Sequence, residues 1–239
     1  MLVALAGFAI LRHAAMKWLL DIFSALSKVR LPTPTRTPVA AQVVAVDQRL
    51  TANDLAAATG ARIDRATEHL PWIVAAMATY GIDTPQRQAA FLARIGHESG
   101  GLKWPQELWG PTPAQKRYEG RKDLGNTQPG DGKRFAGHGW IQVTGRFNHA
   151  AARNRMRAKI GPRVPDFEAE PEKLALPEWA AMSAADFWHA NQINRFADVG
   201  DFDGVCDAIN IGRKTTAIGD ANGYAESCAL WEQAKRVLS

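Results

Sequence analysis

The sequence predicts a mainly helical soluble domain, and three features indicate this class. Apolar residues recur at helical spacing, as Phe91, Leu92 and Ile95 do within one segment. Proline and glycine mark the ends of such segments, and for this one Pro85 opens the helix and Gly100 closes it. The composition, 46% hydrophobic and 22% charged, is that of an ordinary globular protein and excludes disorder as the main state.

The predicted helices begin just after residue 50. Thr51 is expected to cap a helix over Ala52–Thr59, and a second short helix is expected over Ile63–His69. Pro71 is expected to open a third helix, which ends before Gly81. Residues 102–138 are rich in glycine and proline and predict loops with at most a small β-hairpin. Further helical segments are predicted over Trp140–Arg157, Ala180–Asn191, Asp203–Ile209 and Tyr224–Val237.

Two segments precede this domain, which is predicted to span residues 50–239. Residues 1–26 are apolar and basic, but the uninterrupted apolar run of residues 1–11 is shorter than the roughly 20 residues that span a bilayer. Its positive charges follow the apolar run, unlike those of a typical signal peptide. An interfacial membrane helix, an export or anchor segment, and sequence irrelevant to the fold all stay open. Residues 27–49 contain three prolines in seven positions and predict an extended linker.

The net charge of +5 is unevenly distributed along the chain. Residues 116–163 carry twelve basic and three acidic side chains, whereas residues 164–239 carry six basic and thirteen acidic ones. A basic middle segment of this kind faces nucleic acid, an anionic cell envelope, or the acidic part of its own fold. We expect no nucleic-acid partner, because the only segment that resembles a helix-turn-helix, residues 55–65, is barely basic.

Metal and disulfide chemistry receive little support. The two cysteines, Cys206 and Cys228, exclude a disulfide scaffold and a zinc site built from four thiolates, and leave a single bridge open. The six histidines are scattered, so we expect no metal and no cofactor.

Two glutamates have contexts that suit acid–base catalysis. Glu98 ends an apolar helix against a Gly-Gly turn, where apolar surroundings favour a protonated acid. Glu119 lies between Arg117 and Arg121, which favour an ionised carboxylate. A glycosidase needs such a pair. The alternative is that Glu119 only forms salt bridges with the two arginines.

Several motifs carry a resemblance to a known family. They occur in order over 90–101 (AFLARIGHESGG), 109–112 (WGPT), 117–121 (RYEGR), 124–135 (LGNTQPGDGKRF), 139–146 (GWIQVTGR) and 208–212 (AINIG), with a final helix from Tyr224. From about residue 50 onwards the chain resembles glycoside hydrolase family 19, in particular its phage and bacterial endolysin-like branch. The resemblance implies a mainly α, lysozyme-like domain of two lobes with a substrate groove between them.

The resemblance also implies an inverting hydrolase of β-1,4-linked N-acetylated sugars. Glu98 matches the general acid, Glu119 best matches the general base, and Thr144 matches the hydroxyl residue that orients the attacking water. Inversion requires room for that water, so we expect the two carboxyl groups to lie roughly 6.5–9.5 Å apart. Substrate-binding roles are expected for His97, Gln142, Asn148, Asn210, Trp109 and Tyr118.

Two points stay open within the resemblance. Glu107, nine residues after Glu98, is a rival for the general base, with a loop salt bridge as its alternative role. Ala136 and His138 stand where the family often has arginine, so a pH-dependent charge or a hydrogen bond to the backbone is expected at His138.

The function expected from these features is that of an endolysin-type enzyme. It would cleave peptidoglycan between N-acetylmuramic acid and N-acetylglucosamine at the bacterial cell wall, in the periplasm or cell envelope. A chitinase is the alternative within the same chemistry, and a non-catalytic wall-binding module is the alternative from another class. We expect a monomer that associates with membranes, if at all, through residues 1–26.

Overall fold

The computed structural model describes residues 50–239, so the predicted N-terminal segment (1–26) and linker (27–49) lie outside the described residues. Helices dominate this part of the chain, and its only extended pairings are two isolated antiparallel bridges, Gln106 with His138 and His138 with Val143. The predicted mainly α fold class is confirmed. Among the described residues, no helix has both the length and the apolar character to cross a bilayer.

Ten α-helices occur within residues 50–239. They are α1 (Ala52–Thr59), α2 (Ile63–Tyr80), α3 (Pro85–Ser99), α4 (Pro113–Lys116), α5 (Asp131–Arg134), α6 (Arg146–Ile160), α7 (Pro177–Ala190), α8 (Asn194–Ala197), α9 (Phe202–Asn210) and α10 (Tyr224–Leu238). Two short 3₁₀ helices, Lys122–Leu124 and Pro171–Ala175, lie between them.

Local capping explains where the first helices begin. The Thr51 hydroxyl accepts a hydrogen bond from the Asp54 N–H, and the Asp54 carboxylate accepts one from the Thr51 N–H, which completes a capping box for α1. The Thr84 hydroxyl caps α3 in the same way by accepting from the Arg87 N–H. Gly100, at φ 60°, ends α3, so that Glu98 lies in its last turn.

The expected break at Pro71 is wrong. The short helix Ile63–His69 and the segment after Pro71 form one continuous helix, α2, with Pro71 inside it. Proline removes one backbone hydrogen bond and is normally disfavoured at such a position. The helix continues because Ala66, Ile73 and Met77 recur on one buried face across the proline.

A contiguous core holds the longer helices together. α10 packs against α3 and α1, α2 packs against α7, and α7 packs in turn against α6. Phe91 of α3 meets Trp188 of α7 edge to face, with ring centroids 5.5 Å apart, and both side chains are buried. Glu98 on α3 is therefore carried by a rigid scaffold.

The segment that precedes α6 differs from its prediction. The helix predicted over Trp140–Arg157 begins only at Arg146, because Gln142 has φ 55° and Gly145 has φ 95°, and neither value fits a right-handed helix. Trp140 is fully buried and anchors this turn. The turn exposes residues 142–144 to a cavity that a helix would have filled.

Four of the twelve basic side chains of the middle segment pair with the acidic part of the fold. Ion pairs join Arg146 to Glu168, Arg153 to Asp166, Arg155 to Asp186 and Arg163 to Glu178. The interpretation that this charge is partly internal is therefore confirmed. Cys206 and Cys228 are free thiols, which answers the open question of a bridge in this structure.

Candidate active site

Glu98 is held by a buried arginine one turn earlier on α3. The Arg94 guanidinium is completely buried and forms an ion pair with Glu98 Oε1, while its Nη1 donates to the Ser227 hydroxyl on α10. The expected apolar surroundings of Glu98 are therefore wrong, since its partner is a cation. The sequence carried the relevant pattern, because Arg and Glu four residues apart on a helix lie on the same face.

His97 packs against the start of α10. A Cβ built on Gly223 would lie 2.0 Å from His97 Cε1, so only glycine leaves room for this ring. Burial and the nearby Arg94 charge lower the pKa of His97, which favours the neutral imidazole. His97 therefore contributes a neutral, half-buried ring beside Glu98.

A cavity of about 570 Å³ brings together three of the predicted site residues, the substrate-binding Gln142 and Asn148 and the catalytic Thr144. We call it the Thr144 cavity. Its walls come from the turn before α6, from α6 itself, from α7 and from the end of α9. It is lined by Leu124, Ile141, Gln142, Val143, Thr144, Asn148, Ala152, Arg155, Ser183, Phe187, Ala190, Asn191 and Ile209.

The three predicted residues have different roles in this cavity. Gln142 Nε2 donates to the carbonyl oxygens of Trp104 and Gly139, both at 3.1 Å, so its side chain ties two loops together. The Thr144 hydroxyl donates to the Gln142 carbonyl at 2.9 Å, and its oxygen keeps acceptor capacity for a water molecule. Asn148 Nδ2 donates to the Thr144 carbonyl at 2.7 Å, which steadies the first turn of α6.

Asn210 lies at the end of α9, next to Ile209 of the cavity wall. Its Oδ1 accepts a hydrogen bond from the Asn222 N–H at 3.0 Å. The residue thus anchors the loop that leads to α10, and its Nδ2 remains available as a donor.

Glu107 is the centre of a hydrogen-bonded cluster with the predicted aromatic residues. Its Oε1 accepts from Gln115 Nε2 at 2.9 Å and from the Tyr118 hydroxyl at 3.4 Å, and its Oε2 accepts from the Gly137 N–H at 3.0 Å. The alternative of a loop salt bridge for Glu107 is wrong. Trp109 lies beside Tyr118, with ring centroids 6.5 Å apart. Gln115, which sequence reasoning missed, is buried in this cluster.

Glu119 closes a backbone loop instead of pairing with arginines. Its two carboxylate oxygens accept from the N–H groups of Gly130 and Gly132, each at 2.7 Å. Arg121 binds Asp123, so the expected arginine environment of Glu119 is wrong. Gly130 lines a separate cavity of about 350 Å³, which does not include the Thr144 wall.

Short contacts link Glu98 and Glu107 to the rim of the Thr144 cavity. The Trp104 N–H donates to the Ser99 carbonyl at 2.9 Å, and the Trp104 carbonyl accepts from Gln142. On the other side, a Cβ on Gly137 would lie 2.5 Å from Gln142 Oε1, and the same Gly137 donates to Glu107. Gln142 therefore joins the segments that carry both glutamates.

His138 lies below this rim and is buried. Its Nδ1 is 3.0 Å from His149 Nε2, and His149 Nδ1 is 2.9 Å from the Gly145 carbonyl. Because a carbonyl only accepts, His149 carries its proton on Nδ1 and accepts from His138. The His138 side chain thus bonds another imidazole, and the expected backbone hydrogen bond is also present, with Ala136, where it acts to raise the His138 pKa against the larger effect of burial. Burial lowers the pKa of both rings, and for His149 to about 4.

Within residues 50–239, no group of three or more histidine, cysteine or carboxylate side chains is arranged to hold a metal ion.

Comparison with known proteins identifies relatives in sequence. A Haemophilus influenzae protein described as "Glycosyl hydrolase family 19 domain-containing protein" is 28% identical over 179 residues, which cover 63% of this chain and 80% of the relative. No family model matches the chain.

Solved structures share the fold of this chain. Chitinase C from Streptomyces griseus HUT6037 matches with a TM-score of 0.57 and 18% identity, over 79% of this chain and 76% of chitinase C. A chitinase C mutant with one glutamate replaced by glutamine matches with a TM-score of 0.56 and 20% identity, over 79% of this chain and 92% of the mutant. The resemblance to glycoside hydrolase family 19 is confirmed. The likeness to the solved structures concerns the fold.

Proposed function

We propose that this protein is a glycoside hydrolase that cleaves the β-1,4 bonds of peptidoglycan between N-acetylmuramic acid and N-acetylglucosamine, with inversion. The observation that carries the proposal is the Thr144 cavity, whose rim residue Gln142 contacts the segments of two glutamates. Glycoside hydrolysis requires two carboxyl groups near the scissile bond, and Glu98 and Glu107 are carried by the segments that Gln142 contacts.

Glu98 acts as the general acid. Arg94 binds Oε1 of its carboxyl group and fixes the orientation of the side chain. Oε2, the oxygen that Arg94 does not bind, is the one placed to deliver a proton to the oxygen of the leaving sugar. The neutral His97 next to it adds no competing positive charge.

We assign the general base to Glu107 instead of Glu119. Both carboxylates accept hydrogen bonds, two at Glu119 and three at Glu107, so their position relative to the Thr144 cavity decides the assignment. Gly130, which donates to Glu119, lines a different cavity. Glu107 is linked through Gly137 to Gln142 at the rim of the Thr144 cavity. Its carboxylate removes a proton from the attacking water, and the Thr144 hydroxyl oxygen accepts a hydrogen bond from the same water.

Peptidoglycan is proposed over chitin because of charge. Of the basic middle segment, Lys116, Arg117, Lys122, Lys133, Arg134, Arg157 and Lys159 make no ion pair within residues 50–239. These side chains favour association with an anionic envelope. A chitinase remains the second candidate, and the fold shared with chitinase C favours it. Action at the cell wall follows from the peptidoglycan proposal.

Product analysis tests the proposal. Purified protein is incubated with peptidoglycan and with chitin oligomers, and the new reducing ends are reduced and identified. We expect reduced muramic acid from peptidoglycan, whereas new ends from chitin alone would exclude the peptidoglycan assignment. Proton NMR of the first product anomer tests inversion, for which the α-anomer must appear before mutarotation.

A further inference from the structure

A second cavity of about 300 Å³ lies next to the Thr144 cavity. Arg155 and Ala190 line both, so the two spaces share a wall. We call the second space the Lys159 cavity. It is lined by Tyr80, Arg155, Ala158, Lys159, Asp186, His189 and Ala190.

The two cavities follow one face of α6. Asn148 and Ala152 line the first, Arg155 lines both, and Lys159 lines the second, at successive spacings of four, three and four residues. Residues at this spacing lie on the same side of a helix. The rise of an α-helix places Lys159 about 16 Å along the axis from Asn148. A glycan that lies in the Thr144 cavity and extends along this face of α6 therefore reaches Lys159 with sugars beyond the first one or two.

The Lys159 cavity offers positively charged hydrogen-bond donors. Arg155 uses Nε and Nη2 on a single oxygen of the buried Asp186, at 2.9 and 2.7 Å. Its Nη1 has no acceptor among the described residues, so part of its fork is available. Lys159 is exposed, makes no ion pair within residues 50–239, and lies over the Tyr80 ring at 5.9 Å. The lining of the Lys159 cavity thus includes two cationic side chains, Arg155 and Lys159, and one buried carboxylate, Asp186.

We propose that the Lys159 cavity binds a carboxylate carried by the glycan and so makes this enzyme prefer peptidoglycan over uncharged chitin. This inference rests on the proposed function, which places the glycan in the Thr144 cavity, from where it extends towards the Lys159 cavity. A fork of guanidinium N–H groups and a lysine ammonium recognise a carboxylate by charge-assisted hydrogen bonds. In peptidoglycan that carboxylate comes from the stem peptide, or from the lactyl group where the stem is absent. Chitin presents neither.

Binding measurements test the inference without depending on turnover. The Kd values of a soluble disaccharide-peptide and of a chitin oligomer are measured by calorimetry for the full chain and for Lys159→Gln. We expect the variant to bind the disaccharide-peptide about fivefold more weakly, the scale of an exposed charge pair, with an unchanged Kd for the chitin oligomer. Lys235→Gln is the matched control, because Lys235 is an exposed lysine on α10 paired with Glu232.

The two carboxylate sources are separated by a third ligand, the same disaccharide after an amidase has removed its stem. Weaker binding of Lys159→Gln only to the intact ligand assigns the stem carboxylate. Weaker binding only to the amidase product assigns the lactyl carboxylate, which is free only after the stem has been removed, and weaker binding to both shows that the site accepts either carboxylate. An unchanged Kd for both, or an equal loss on the chitin oligomer, overturns the inference. Lysine-dependent binding without cleavage of either polymer leaves it intact and contradicts the proposed function instead.

Discussion

Arg94 and Glu98 form an ion pair within the last two turns of α3, with the guanidinium completely buried and the Glu98 side chain 20% exposed. A buried charge of this kind is costly unless it keeps its partners. Arg94 keeps two, Glu98 and the Ser227 hydroxyl. The pair therefore fixes the orientation of the proposed acid.

Replacing Glu98 by glutamine should abolish hydrolysis with little effect on the fold. The amide oxygen can still accept from Arg94, but the amide cannot donate a proton to a leaving oxygen, so we expect turnover to fall by at least about 100-fold. Initial rates on the cleaved polymer measure this, and the melting temperature verifies folding. Turnover within a few-fold of the unmodified protein would exclude Glu98 as the acid.

Replacing Glu107 by glutamine should lower turnover, whereas replacing Glu119 by glutamine should lower stability. Glu107→Gln removes the proposed base, and we expect turnover to fall by at least about 100-fold. Glu119→Gln should keep most of the turnover but lose about 1–3 kcal/mol of unfolding free energy, because its NH₂ must face the N–H of Gly130 or Gly132.

Rates and denaturant unfolding of both variants decide between the two assignments. Inactivation by Glu119→Gln with normal turnover in Glu107→Gln would return the role of base to Glu119.

Alanine at Gly137 should disturb the rim of the Thr144 cavity. The new methyl group would lie 2.5 Å from Gln142 Oε1 and must displace that side chain, while the Gly137 N–H holds Glu107. We expect kcat to fall by roughly tenfold or more, since small misplacements of a positioned group are costly.

Gly110→Ala provides the control for Gly137→Ala. A Cβ there meets its nearest neighbour, the Thr112 backbone nitrogen, at an ordinary 3.5 Å. Equal kinetics in the two variants would show that Gly137 does not couple to the site.

The buried His138–His149 pair should make stability depend on pH. The pKa of His149 is lowered to about 4 by burial, so between about pH 6.5 and 4 the unfolded chain binds more protons than the folded one. The unfolding free energy should therefore fall as the pH falls through this window, by roughly 3 kcal/mol from His149, and should not change through this group above it. The lowered pKa of His138 acts in the same direction.

Denaturant unfolding between pH 7.5 and 4.5 measures this dependence. In His149→Gln, whose amide can donate to Gly145 and accept from His138, the dependence should become shallower. An equally steep dependence in this variant would contradict the assignment.

The sequence could predict the features that depend on local patterns. Helical spacing and caps located α3, and with it Glu98, because those preferences act within a few residues. Pro71 misled the prediction, since tertiary packing of Ile73 and Met77 outweighed the local penalty of proline. The turn at Gln142, where φ is 55°, also escaped prediction. The Gln142 side chain donates to the carbonyl oxygens of Trp104 and Gly139, and Trp104 is far away in the sequence, so no local sequence pattern indicates this contact.

The site was harder to predict than the fold for the same reason. Arg117 and Arg121 lie next to Glu119 in sequence, but its partners are Gly130 and Gly132. Proximity along the chain is a poor guide to contacts between loops, whereas four-residue spacing on a helix, as between Arg94 and Glu98, is a good one.

The bond between Arg94 and Ser227 has a consequence for the order of events during synthesis. The two residues are 133 positions apart, so a chain still growing on the ribosome lacks the hydroxyl that Arg94 needs. At ordinary elongation rates this interval lasts about 7–27 s. During this interval α10 does not yet cover α3, and Arg94 lacks its second partner, the Ser227 hydroxyl. Arg94, which positions Glu98, therefore gains its last hydrogen-bond partner late. A nascent chain that has not passed residue 227 lacks the contact that completes the positioning of the proposed acid.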